Sequence, residues 1–185
     1  MPVRLKGSWD MGLKFEEASK EIAKLRKRYR ALAEITKMEN HRRALAYANI
    51  LALQLANGLR IGEAIDCYYQ WVESGEREIM VRVRKTKDRA RLCIVPDTFT
   101  EVDRELTKDI PKPRTQNLYN FARRHMNINT HSLRYAFINY LLDAGVDPAT
   151  VSKILAHKKL DRLVTYIQET RAKQTLTTFM KTVKI

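Results

Sequence analysis

The chain is poor in the residues that interrupt or cross-link a polypeptide. Its 185 residues hold six glycines, five prolines and two cysteines. So few glycines and prolines exclude a linker-rich or low-complexity protein, and 44% hydrophobic residues argue for a folded one. Cys67 and Cys93 lack CxxC spacing, which excludes a disulfide framework and leaves two reduced thiols of a cytosolic protein. The four histidines are scattered, HExxH does not occur, and no acidic cluster suits Mg²⁺, so neither a metal nor a cofactor is expected. The most apolar stretch, Ala44 to Ala56, is broken by Asn49 and Gln54 and falls short of the about 20 residues of a membrane span. MPVRLKGSWD at the start lacks the apolar core of a secretory signal. A cytoplasmic protein with no membrane partner is expected.

Negative charge is the other scarcity. Against 35 Lys and Arg stand 21 Asp and Glu, giving a formal charge of +14, and from Ile110 to Leu142 there is no acidic residue at all. Such a balance calls for a polyanionic partner, nucleic acid or an anionic surface. The basic residues are clustered. Lys24, Arg26, Lys27, Arg28 and Arg30 form one run, of the kind that a solvated helix face or a polyanion contact would both explain. A second comprises Arg82, Arg84, Lys85, Lys87, Arg89 and Arg91, and a third Lys112, Arg114, Arg123, Arg124 and Arg134. Of these, Arg82, Arg84, Arg89, Arg91, Lys112, Arg114, Arg123 and Arg124 are the candidate nucleic-acid contacts of a nucleoid-associated protein.

Apolar spacings of three and four from Phe15 to Ile35 predict a long amphipathic helix over residues 14–36, and a second follows from about 39 to 57. Asn57-Gly58 is a stop signal in which a left-handed residue is wanted, so the chain turns just before Arg60. A short helix over 61–68 is expected next. The period then changes to two: Ile79, Val81 and Val83, then Leu92, Ile94 and Pro96, predict a hairpin with its turn at 85–90, and Tyr69–Val72 supply a third strand. Further helices are expected at about 98–107, 115–126, 131–144, 148–157 and 161–171. Thr115, Thr130 and Asp147 are their predicted N-caps, and Pro148 follows at the favoured first position. The fold class is α+β, mainly α, with a small antiparallel three-stranded sheet at one edge. Residues 1–185 are read as one domain with tails at 1–13 and 173–185.

Chemistry concentrates in the last third. His131 and Arg134 lie three apart in the first turns of a helix, where unpaired N–H groups and the helix dipole already favour a phosphate. Arg134 adds a planar fork for two phosphate oxygens, and His131 a group that titrates near neutrality. His157 follows 23 residues after Arg134, and Tyr166 follows 9 after His157. Each residue alone has an ordinary structural explanation. Their order does not.

That order resembles the tyrosine recombinase (phage integrase) family. The motifs are Asn57-Gly58-Leu59-Arg60-Ile61-Gly62-Glu63, a lysine (Lys85 or Lys87) in the basic hairpin, His131-Ser132-Leu133-Arg134, Leu155-Ala156-His157 and Tyr166. They span about residues 40–170. Departures are Asn57 in place of a common Thr, Tyr135 in place of a second His, and Ala156 in place of a usual Gly. The resemblance implies a metal-independent enzyme acting on double-stranded DNA. Arg60 and Arg134 would hold the scissile phosphate, and His131 would take the phenolic proton. Tyr166 would attack to give a 3′-phosphotyrosyl intermediate. Lys85, favoured over Lys87, would protonate the leaving 5′ oxygen, His157 would hydrogen-bond the phosphate, and Glu63 would orient Arg60 or a neighbouring His. It also implies a tetramer assembled on DNA from a chain that is monomeric in solution, acting in a host cell if virus- or plasmid-encoded. With about 40 residues ahead of the motifs, the family's N-terminal core-binding domain is expected to be absent. The alternatives are a DNA-binding regulator or inhibitor that does not cut, and a type IB topoisomerase-like enzyme.

Overall fold

A computed structural model of the protein describes residues 12–83 and 89–156. The described chain runs α1 (Phe15–Thr36), α2 (Glu39–Asn57), α3 (Ile61–Ser74), β1 (Glu78–Arg82), β2 (Ala90–Ile94), α4 (Glu101–Thr107), α5 (Thr115–Met126), α6 (Thr130–Asp143) and α7 (Pro148–Ile154). Helix α2 lies at the centre and packs against α1, α3, α4, α5 and α6. Its burial explains its composition: Leu45, Ala46, Ala48, Ile50, Leu51 and Leu53 are all fully enclosed. Each such side chain removed from water contributes about 1.5–3 kcal/mol when large, which makes this helix the main apolar support of the fold. A smaller cluster of Phe137, Ile138, Leu142, Val151 and Leu155 joins α6 to α7, with Phe15 packed against it from α1. None of the helices in the described residues is long and apolar enough to cross a membrane.

The first basic run divides between two environments. Lys24, Lys27 and Arg28 are exposed, but Arg26 is buried. Arg26 Nε donates to Asn49 Oδ1 at 2.6 Å, and its Nη2 donates to the Thr98 carbonyl at 3.0 Å. The guanidinium stacks 4.1 Å from the centre of the Phe99 ring. Arg30 joins it on the fully buried Asp103 carboxylate, at 2.6 and 3.0 Å. Asp103 also accepts from the backbone N–H of Thr100 and so caps α4. Burying a carboxylate is tolerable when its lone pairs are filled this completely. This network ties α1, α2 and α4 together.

Strands β1 and β2 pair antiparallel, with Met80 opposite Leu92 and Val81 opposite Arg91. Among the described residues the sheet has two strands, which corrects the expected three. Tyr69–Val72 belong to α3, where Ile61, Ala64, Ile65, Tyr68, Trp71 and Val72 form one buried helical stripe. The open edge of β2 is met by a side chain instead of a strand. Asn57 Nδ2 donates to the Ile94 carbonyl and Asn57 Oδ1 accepts from Ile94 N, both at 2.9 Å. Two predicted caps also shift by one residue. Arg114 precedes α5, and Asn129 caps α6 through its side chain, leaving Thr130 buried within the helix. Asp147 caps α7 as expected, accepting from Thr150 N at 2.9 Å.

Candidate active site

The site is built on the turn at the end of α2. Gly58 adopts φ 58° and ψ 35°, the left-handed conformation that side chains disfavour. Space excludes a side chain as well, because a Cβ here would lie 2.3 Å from Phe137 Cδ1. The chain then passes through buried Leu59 and enters α3 with Arg60 as its N-cap. Glu63, fully buried one turn later, reaches back. Its Oε2 accepts from Arg60 N at 3.1 Å, and its Oε1 accepts from Arg60 Nη1 at 2.8 Å. One carboxylate thus fixes both the backbone and the guanidinium of Arg60.

Arg134 arrives from the other side. It is 1% exposed on α6, and its Nη1 donates to the carbonyl of Gly58, two residues before Arg60. Asn129 Oδ1 accepts from His131 N at 3.0 Å and starts α6 so that His131 falls in its first turn, one turn before Arg134. Residues three apart share a helix face, so His131 lies on the side of α6 that carries Arg134. The His131 ring is partly buried and meets the Tyr135 ring edge-on at 5.3 Å. Arg60, Glu63 and Arg134 are thereby brought to one turn by α2, α3 and α6, with His131 one turn before Arg134 on α6.

Arg91 belongs to this cluster, contrary to its expected place on a DNA-facing surface. It is 4% exposed, its Nη2 donates to the Asn57 carbonyl, and its Nη1 lies 4.0 Å from Glu63 Oε2. Burial pulls its pKa down from the usual arginine range, with Cys93 and Glu63 acting against that shift. Strand alternation is the cause: Arg91 has the parity of Cys93, and both point to the core. The alternation of Leu92, Ile94 and Pro96 in the sequence suggests the opposite face inward, and the structure corrects it: Leu92 and Ile94 are exposed. The carbonyls of Asn57 and Gly58, which also organise the site, carry no sequence signal.

The other described candidates remain on the surface. Arg82, Arg89, Arg114, Arg123 and Arg124 are exposed, and exposed Lys112 pairs with Asp66 at 2.5 Å. Beside the α6 N-terminus, Gln116, Tyr119, Asn120, Arg123, Ile128 and Asn129 line an open recess of about 280 Å³. Arg84, Lys85, Lys87, His157 and Tyr166 lie outside the described residues. Ala156, just before His157, has φ 51°, a conformation that glycine takes more readily.

No protein-family model matches the chain. The chain is 39% identical over 168 residues to "Putative integrase ORF241" of Acidianus two-tailed virus, covering 89% of this chain and 66% of that protein. It is 29% identical over 194 residues to "Putative integrase V10" of Sputnik virophage, covering 86% of this chain and 85% of that one. The fold matches the crystal structure of XerA recombinase with a TM-score of 0.57 and 18% identity, over 100% of this chain and 68% of that chain. The chain thus spans about two thirds of the length of the Acidianus virus protein and of XerA.

Proposed function

The chain belongs to the tyrosine recombinase family, and from that premise we propose that it breaks and rejoins double-stranded DNA at a specific site through a 3′-phosphotyrosyl intermediate. The observation that carries the proposal is the Arg134–Gly58 bond. It sets a guanidinium from α6 against the turn that presents Arg60. Two forks held this way favour the negative charge that grows on the non-bridging oxygens as phosphorus becomes pentacoordinate.

In this scheme the phenolic oxygen of Tyr166 attacks phosphorus and passes its proton to His131. The bond to the 5′ oxygen breaks, and Lys85 (or, in second place, Lys87) protonates that oxygen as it leaves. His157 donates to the phosphate, and Glu63 orients Arg60. The phosphotyrosyl bond preserves the energy of the phosphodiester, so a 5′-hydroxyl can later displace Tyr166 with no metal or cofactor. Arg82, Arg84, Arg89, Lys112, Arg114, Arg123 and Arg124 contact the DNA backbone. The Gln116, Asn120 and Arg123 face of α5 has groups that pair with base edges. A monomer in solution would assemble as a tetramer on DNA, in the host cell of a virus or plasmid.

The test is incubation with a nicked suicide duplex, read on a denaturing gel. A covalent protein–DNA adduct that is absent in Tyr166→Phe supports the proposal. Duplex binding with no adduct on any site tried overturns it in favour of a regulator that does not cut. Relaxation of plasmids lacking any such site would favour a topoisomerase.

A further inference from the structure

The buried Arg91 is poorly explained by stability. Its side chain is 3% exposed, and within the described residues its Nε and Nη1 have no hydrogen-bond partner. A buried guanidinium with unfilled donors costs free energy that an apolar side chain of similar size would not. What it touches is informative. The carbonyls of Asn57 and Gly58 are consecutive, and each takes one guanidinium, Arg91 from β2 and Arg134 from α6. Glu63 lies between two more contacts, 2.8 Å from Arg60 and 4.0 Å from Arg91. The remaining titratable groups around Arg91 are the buried thiols of Cys67 and Cys93.

We propose that Arg91 is a positioning residue of strand cleavage, holding the Asn57 carbonyl and the Glu63 carboxylate so that Glu63 keeps the Arg60 guanidinium in a single place. This rests on the recombinase reading above. Arg91 never meets the DNA. It clamps the turn from the sheet side as Arg134 does from the helix side. Because β2 pairs with β1, the clamp joins the sheet to the turn bearing Arg60.

The experiment uses the full chain, unaltered and as Arg91→Gln and Arg91→Lys. Three quantities are read: duplex affinity, the single-turnover rate of adduct formation on the nicked duplex, and hydrogen-exchange protection of the Arg60 guanidinium by arginine-¹⁵N NMR. Arg91→Gln should bind duplex as the parent does, form adduct about 10²-fold more slowly and lose Arg60 protection. Arg91→Lys retains the charge and should recover most of both. Parent-like adduct rates in a folded Arg91→Gln overturn the proposal, as does unchanged Arg60 protection. Should Arg91→Gln not fold, Arg91→Lys decides: a parent-like adduct rate after Arg60 protection is lost would also overturn it. If the unaltered protein forms no adduct, the recombinase reading fails by itself. The NMR comparison still reports whether Arg91 holds Arg60.

Discussion

The guanidinium of Arg134 donates to the carbonyl oxygen of Gly58 across 76 positions of sequence. This contact makes two distant motifs one site, because Arg60 follows Gly58 by two residues and Glu63 locks it there. Both partners have requirements of their own. Gly58 needs a left-handed backbone with no side chain, and Arg134 needs an acceptor deep in the fold.

Replacing Arg134 with Ala should separate chemistry from binding. Adduct formation should fall about 10²- to 10³-fold, as for loss of one donor to a charged transition state. Duplex affinity, spread over many phosphates, should change little. Leaving the Gly58 carbonyl without this donor should also lower stability by about 1–3 kcal/mol, read by urea unfolding. Equal losses in affinity and adduct rate would count against the assignment.

Gly58→Ala should be costlier than an ordinary surface change. The left-handed φ of 58° and the 2.3 Å approach to Phe137 act together. A loss of about 3 kcal/mol is expected from strain plus overpacking. Combining it with Phe137→Leu should recover part of the loss if the clash contributes. No recovery would place the whole cost in the backbone.

Asp103→Ala should leave Arg26 and Arg30 without their carboxylate. Removing one partner of a buried ion pair costs about 3–5 kcal/mol, measured as a lower denaturation midpoint. The folded fraction should bind DNA as before, since Arg26 supports the core and does not face the ligand. A large drop in duplex affinity with unchanged stability would reverse that conclusion.

Salt should weaken duplex binding steeply, with a linear log–log plot, because phosphates release counterions when cations neutralise them. Charge-removing changes at exposed Arg123 and Arg124 should each flatten the slope by about one. A salt response already flat in the unaltered protein would contradict phosphate-dominated binding.

Local pattern carried much of the fold. The three-and-four spacing of α1, the Asn57-Gly58 stop and the alternation of β1 all predict elements at the observed places. Apart from the one-residue cap shifts, the failures come from tertiary partners. Tyr69–Val72 resemble a strand by composition, but Tyr68, Trp71 and Val72 continue a buried helical stripe. Arg26 and Arg91 count as cations in any basic run, yet acceptors brought from elsewhere, Asn49 and Asp103 for one and Asn57 for the other, draw them inward. The motif order around Arg60, His131 and Arg134 is legible as residue type and spacing alone. The bond from Arg134 to a backbone carbonyl is not, since any residue has one.

In the proposed mechanism Tyr166 becomes joined to a DNA 3′ phosphate. Protease digestion of the adduct from a nicked duplex, followed by mass spectrometry of the DNA-linked peptide, tests it directly. The expected product is a peptide containing Tyr166 esterified through a 3′ phosphate, with a free 5′-hydroxyl on the released strand. Linkage at another residue, or through a 5′ phosphate, would contradict it.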